Sequence, residues 1–584
     1  MTRSGSELMT AQRRRLLTII AQDPSIRVNG RILRAIVPVP YDATEPGPWG
    51  ERIHVLDYDA TSNTLYAPLD IGDGVNESPV DPFLDSTDAE LLSSPQFHQQ
   101  QVYAVASRTL ARFEAALGRR LPWGFDSPQL KLCPHAFAEP NAFYAREHEA
   151  VLFGYFRNAQ GKPVLSSLAH DVVAHEVSHA LLDGLRPGLL MPSSPDQGAF
   201  HEAFADLVAI FSVFALQEVV EAMLMLGTTT KSPSGGKQRN RLLSKEVLDP
   251  GWLRDFALLG LAKQMGQELS GIRGEALRHS ATLAPNKKWR DDPDFSEAHR
   301  RGEILVACGL HTFTLLWSHR LQTLGEVQPG FLDRSRVAED GAAVADSLLT
   351  SIIRCIDYLP PVHVGFSDVL SALLTSHYEL FPGEQMRPLR DIVRKAFGDF
   401  GIKPASTRSS VEPGLWCGPS AHPDYREVHF SVLQYDETEA FRFLWRNRNL
   451  LALAQGAYTN IESVRPCLRR GEDGFMLRET VISFTQQIKL KANELGQLSI
   501  ARPTGMPDEM PVTLFGGGTL IFDERGELKY YIHNRLLSAN RQSERLQYLW
   551  NVGAFDPGVR ARSSIAAMHR DRAIDRSEFQ AERW

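Results

Sequence analysis

The chain has 584 residues, 43% of them hydrophobic and 23% charged, with a net charge of −7. That length exceeds one hydrophobic core and predicts about two to four domains. The acidic balance argues against nucleic acid or an anionic membrane as partner, and no apolar run approaches the roughly 18 residues of a membrane span. Five widely spaced cysteines with no CxxC pair fit reduced thiols better than a disulfide framework or a cysteine zinc site. The first residues lack the shape of a signal peptide, so a cytoplasmic protein is expected.

In chain order, residues 1–95 read as an N-terminal segment. Its start, Gln12-Arg-Arg-Arg-Leu-Leu, reads as a basic helical piece with a solvated end. Short strands follow around Ile53-His-Val and Thr64-Leu-Tyr, with a turn-like Asp59-Ala-Thr-Ser-Asn63 between them. Residues 97–117 carry Val102, Ala106, Leu110, Phe113 and Leu117 at helical spacing, and Gly118 stops the run. Short extended pieces come next: 129–133, then 141–144 and 150–156 as an antiparallel pair around Arg146-Glu-His-Glu149.

The stretch Asp171-Val-Val-Ala-His175-Glu176-Val-Ser-His179-Ala-Leu-Leu-Asp183-Gly contains HExxH. Positions four apart share one helical face, so His175 and His179 can aim both imidazoles at one ion, with Glu176 beside it. Gly184 and Pro187 are expected to end this helix. A catalytic zinc needs a third protein ligand. Glu202, in His201-Glu202-Ala-Phe-Ala-Asp206, supplies the candidate, and Asp206 is placed to take the hydrogen bond from a ligand histidine. Pro187, Pro192, Pro195 and Gly198 suffice to reverse the chain between the two motifs.

Helix periods then recur at 198–224, 253–268, 298–323, 338–358, 366–380 and 384–399. Residues 226–250 read as a polar surface loop and 279–298 as irregular. A proline-rich linker is expected at 403–424. Beyond it, Val428-His-Phe-Ser-Val432 alternates like a strand, 437–452 looks helical, and 475–490 reads as one or two strands. Residues 519–522 and 528–532 flank a hairpin turn, with a last helix at 536–550. Gly516-Gly517-Gly518 lacks phosphate-loop spacing and reads as a bulge or turn.

Taken together, these stretches resemble the thermolysin-type zinc metallopeptidases, the gluzincins. The zinc helix and the Glu202-Ala-Phe-Ala-Asp206 motif carry the resemblance most closely. Asn141-Ala142-Phe143-Tyr144 resembles the family's substrate-binding edge strand, Gly274-Glu-Ala-Leu277-Arg278 its carbonyl-contacting arginine segment, and Asp294-Phe-Ser-Glu-Ala-His299 its catalytic histidine with an orienting aspartate. The resemblance covers about residues 100–400 and implies Zn2+ held by His175, His179 and Glu202, with Glu176 and His299 catalytic. It further implies Asp206 and Asp294 as orienting groups, and Asn141, Ala142 and Arg278 as substrate contacts. Val172 and Leu277 would line a pocket favouring an apolar residue after the scissile bond. Two features depart from the family: no tyrosine lies between Leu181 and His201, and Val213 stands where a calcium carboxylate is expected, so Asp171 is expected to serve no calcium.

The expected fold class is α+β: a thermolysin-like core of a small sheet, zinc helices and a helical subdomain at 96–402, and an additional α+β domain at 425–560. A charged tail follows at 561–584. The expected activity is zinc-dependent endopeptidase cleavage of a peptide or protein substrate, with 425–560 open to a regulatory partner. The alternatives are an inactive zinc-bound scaffold, or an interaction protein acting through its C-terminal domain.

Overall fold

A computed structural model describes residues 14–72, 81–158, 160–191, 193–229, 241–253, 279–280, 282–406, 411–470 and 474–556. The helix expected at 253–268 and the tail at 561–584 lie, wholly or all but wholly, outside them. The fold is α+β, with small sheets and many helices.

The first strands are β1 (Arg14–Ile20) and β2 (Arg34–Pro40), paired antiparallel from Arg14 opposite Pro40 to Ile20 opposite Arg34. This corrects the helix expected around 12–17. Leu17 and Ile19 turn inward while Leu16 is exposed, an alternation that β-branched Thr18, Ile19 and Ile20 favour. Next comes β3 (Ile53–Val55), then α1 (Pro95–Leu117), capped by the Ser94 side chain and ended by Gly118 in the left-handed region at φ 69°. Three buried glutamines of α1 hold the neighbouring backbone. Gln101 accepts from Ile20 N at 2.9 Å and donates to Ile20 O at 3.1 Å, Gln100 donates to Thr18 O at 3.0 Å, and Gln99 accepts from Leu69 N at 2.7 Å.

The five-stranded sheet adds β4 (Leu130–Phe137), β5 (Ala142–Ala145), β6 (Ala150–Arg157) and β7 (Pro163–Leu165). Its order is β7-β6-β4-β3, with β4 parallel to β3 and β6, and β5 antiparallel to β6 as expected. Among the described residues β6 is the only strand that β5 pairs with, so β5 is an edge.

Two helices follow, α2 (His170–Leu185) and α3 (Pro195–Phe214). Nearly every residue of α2 is buried, the mark of a helix inside a core. The helix ends at Leu185, between the Gly184 and Pro187 expected to end it, and a Cβ at Gly184 would lie 2.1 Å from Pro122 O. The glycine is there for the close approach of that backbone. Pro195 begins α3 behind the Ser194 cap.

The segment expected as one helix at 198–224 is two, since α4 (Gln217–Thr229) starts after a break. Then come α5 (Ala298–Thr323), α6 (Arg334–Cys355), α7 (Phe366–Leu380) and α8 (Arg387–Asp399). Helix α3 lies at the centre, packed against α2, α5 and α6. No single described helix is long and apolar enough to cross a membrane; α3 and the start of α4 reach that apolarity only as a pair bent by 76°.

The described part of 403–424 packs against the helices. Ser406 N donates to Ser371 Oγ at 3.1 Å, Trp416 N to Thr375 Oγ1 at 2.9 Å, and Glu412 sits against Arg390. Beyond it the strand expected at 428–432 is instead a single helical turn, Phe430–Leu433, followed by α9 (Glu437–Arg446). A four-stranded antiparallel meander follows: β8 (Tyr458–Arg470), β9 (Met476–Lys491), β10 (Pro511–Phe522) and β11 (Leu528–Asn534). It is completed by α10 (Ala539–Asn551).

Gly516, Gly517 and Gly518 sit inside β10 in unbroken register, correcting the bulge or turn expected there. A Cβ on Gly516 would meet Leu536 N at 2.4 Å, and one on Gly517 would meet Phe484 O at 2.3 Å. One face of this sheet packs on α9 through Ile482, Phe484, Leu520 and Phe522. From the other, Cys467, Val481, Ile521, Tyr530 and Ile532 enter the main core. A buried ionic seam runs between the two parts: Asp357 takes Arg119 at 2.6 Å and also Arg469, which in turn reaches Glu479, while Lys529 pairs with Glu379. Arg186, just past α2, donates to Ile356 O at 2.8 Å and to Ser483 Oγ of β9.

Candidate metal centre

Helices α2 and α3 present three side chains to one point. His175 and His179, one turn apart on α2, bring their Nε2 atoms within 2.8 Å of each other, with rings 82° apart. Glu202 on α3 places Oε2 3.9 Å from His175 Nε2 and Oε1 3.8 Å from His179 Nε2. All three are buried, and their donor atoms lie within 4.8 Å of one another. The carboxylate is too far from the imidazoles for direct hydrogen bonds. Four donors about 2.0–2.1 Å from a tetrahedral ion stand about 3.3 Å apart, so the observed separations are on the scale of one shared cation. Two nitrogens and a carboxylate oxygen are donors that a divalent first-row metal accepts.

A carboxylate stands at the far nitrogen of one of the two histidines. Asp206, one turn beyond Glu202, places Oδ1 2.8 Å from His175 Nδ1. A proton held on Nδ1 by that carboxylate leaves the Nε2 lone pair facing the cluster. His201 stacks on the His179 ring, with centroids 4.7 Å apart and planes 12° from parallel. That residue stands in the quoted motif next to Glu202, but nothing in its spacing signals the stacking.

Glu176, next to His175 in the chain, is fully buried. Its Oε2 accepts the backbone N–H of Tyr144 at 3.0 Å. The Tyr144 hydroxyl donates to Asp183 Oδ2 at 2.8 Å, so one residue of β5 grips α2 at two places seven residues apart. Burial raises the Asp183 carboxyl pKa, against the opposing effects of Tyr144 and Arg146. Gly154 N donates to Asn141 O at 2.8 Å, so Asn141, Phe143 and Ala145 turn their main-chain groups toward β6, and Ala142 and Tyr144 turn theirs away from it. Asn141 is buried and its Oδ1 accepts the Ala142 N–H at 2.9 Å. The grip of the Tyr144 amide on Glu176 was not foreseen; the alternation of an edge strand beside α2 is the signal that could have found it.

No protein-family model and no curated protein matches the chain.

The sequence candidates thus divide. His175, His179, Glu202 and Asp206 converge, Glu176 stands buried next to His175 in α2, and the strand carrying Asn141 and Ala142 lies against the same helix. Val172 is buried in α2. His299 lies in the first turn of α5, after the short turn Pro293–Ser296 on which Asp294 is exposed. Arg278 and Leu277 fall outside the described residues. Val213 is buried among apolar side chains, and Glu221 lies 3.9 Å from Arg334. Among the described residues, His175, His179 and Glu202 are the one group able to hold a metal.

Proposed function

We propose that the chain is a zinc-dependent endopeptidase of the thermolysin-like, gluzincin type. The observation that carries the reading is the buried convergence of His175, His179 and Glu202 with Glu176 held beside them. His175, His179 and Glu202 would hold the zinc, which would supply Lewis acidity to a peptide carbonyl and to water near neutral pH.

The chain's own groups do the rest. Glu176 accepts the proton of the attacking water and delivers it to the departing amine. The Tyr144 N–H, 3.0 Å away, keeps that carboxylate aimed. Asp206 holds His175 in the orientation that presents Nε2. Asn141 and Ala142 on β5 contact the main chain of an extended substrate. His299 donates a hydrogen bond to the developing oxyanion, with Asp294 keeping it in the donating state, and Arg278 contacts a substrate carbonyl. An apolar residue after the scissile bond is favoured by Val172 and Leu277.

Cleavage of a peptide library by the zinc-loaded chain tests the proposal. Glu176→Gln should retain the metal and lose turnover, while His179→Ala should lose both. Near-normal cleavage by Glu176→Gln would overturn the mechanism.

A further inference from the structure

A cavity of about 640 Å³ lies between the C-terminal sheet and the loop that joins α2 to α3. Pockets of about 300–1,000 Å³ hold small organic ligands. None of His175, Glu176, His179 or Glu202 lines it, so it is separate from the metal cluster.

Its lining joins two chemistries. Met191, Val362, Phe515, Leu549 and Phe555 give an apolar wall, and Met191 is exposed at its open side. Three arginines face the same space: Arg186 after α2, Arg465 on β8 and Arg545 on α10. Arg186 and Arg545 are more than nine-tenths buried. Their hydrogen-bond partners are neutral: Ile356 O and Ser483 Oγ for Arg186, Gly184 O at 3.5 Å for Arg465, and Thr513 O at 3.1 Å for Arg545. Asp357 lies near enough to act on Arg186 and Arg465, but it is already paired with Arg119 and Arg469. The Nε of Arg545 is buried with no hydrogen-bond partner among the described residues. Burial holds all three guanidinium groups down, to about 10. The one acid among the lining residues, Glu462, accepts from Thr485 Oγ1 at 2.5 Å and Asn460 Nδ2 at 3.2 Å, so three cations face one anion around the cavity.

Three cations around one cavity in a chain of net charge −7 are a local feature. Buried charge without a counter-ion is costly, and a guanidinium matches a carboxylate or phosphate with paired N–H donors. We propose that this cavity binds a small amphipathic anion: an alkyl or aryl body against Phe515 and Leu549, with a carboxylate or phosphate head group at Arg465 and Arg545. Arg186 closes α2, and Gln197, which also lines the cavity, lies in the first turn of α3. A ligand there would touch both ends of the connection between α2 and α3.

The test is calorimetric titration of the full chain with hexanoate, hexyl phosphate and 1-hexanol, each below its aggregation limit. It needs neither metal nor peptidase activity. Saturable binding of either anion at least tenfold tighter than the alcohol supports the proposal, and the tighter anion identifies the head group. Arg465→Met and Arg545→Met should each bring the anion down to the level of the alcohol. Leu549→Trp keeps every charge and fills the space, so it should abolish binding even if an arginine variant fails to fold. Equal binding of anion and alcohol, no binding of any probe at millimolar concentration, or anion binding unchanged in both Arg465→Met and Leu549→Trp would overturn it.

Discussion

Asp206 offers the sharpest test of how the metal cluster is built. Its Oδ1 stands 2.8 Å from Nδ1 of His175, a buried ring whose other nitrogen faces His179 and Glu202. Asp206→Ala removes the acceptor that fixes the ring's tautomer and rotation. Losing such an outer partner lowers metal affinity by about 10–100-fold, or about 1.4–2.8 kcal/mol. The Asp206 side chain is 18% exposed, so water can take its place at Nδ1, and the loss should fall near the tenfold end. Asp206→Asn keeps an acceptor oxygen without the charge and should lose less. Zinc affinity, measured by competition with a chromophoric chelator, reads both changes, with Asp294→Ala as a control that should leave it unmoved. If Asp206→Ala binds zinc within twofold of the parent while Glu202→Ala does not, Asp206 does not orient the ligand.

Glu412 should shape the acid limb of stability. Burial alone would raise its pKa, but hydrogen bonds from Arg390 and Arg394 outweigh that and hold it at about 2 against an ordinary 4.5. A carboxylate depressed on folding stabilises fully above its unfolded pKa, and the contribution is lost as pH falls from about 4.5 to about 2. Urea unfolding across that range should be flatter in Glu412→Gln than in the parent; parallel curves would contradict the assignment. Gly184→Ala should destabilise by about 1–3 kcal/mol through overpacking against Pro122, read as a lower Tm; an unchanged Tm would mean the backbone yields freely. Residues 1–402 expressed alone should lose cooperative unfolding, because Asp357 and Glu379 lose Arg469 and Lys529 and the core loses Val481 and Ile521. A stable, monomeric fragment with a sharp transition would show that the ionic seam is dispensable.

The metal cluster was legible because its information is local. One helical turn separates His175 from His179 and another separates Glu202 from Asp206, so residue identity and period alone predict the shared faces. Strand β1 was not legible, because its partner β2 begins beyond a further turn and Arg14-Arg15-Leu16-Leu17 fits a helix as well as a strand. Arg15 is in fact buried, with its guanidinium on Gly72 O at 2.8 Å. Strand β8 escaped notice for a related reason: a register shift between Ile461 and Ser463 breaks its alternation. The glycines of β10 were misread because their cause, the backbone of Leu536 and the carbonyl of Phe484, lies elsewhere in the chain. The ionic seam from Arg119 through Asp357 to Arg469 joins residues far apart in sequence, and no local pattern announces it.

The contact between Arg186 and Ser483 has a consequence for how the molecule comes into being. Its two ends are 297 residues apart. At a synthesis rate of about 5–20 residues per second, the turn that closes α2 waits about 15–60 s on the ribosome for its partner strand. During that interval the HExxH motif already exists as a chain, but the carbonyl of Ile356 and the strand that pin its end do not. The end of α2 therefore reaches its final surroundings only after the strand that carries Ser483 has been made.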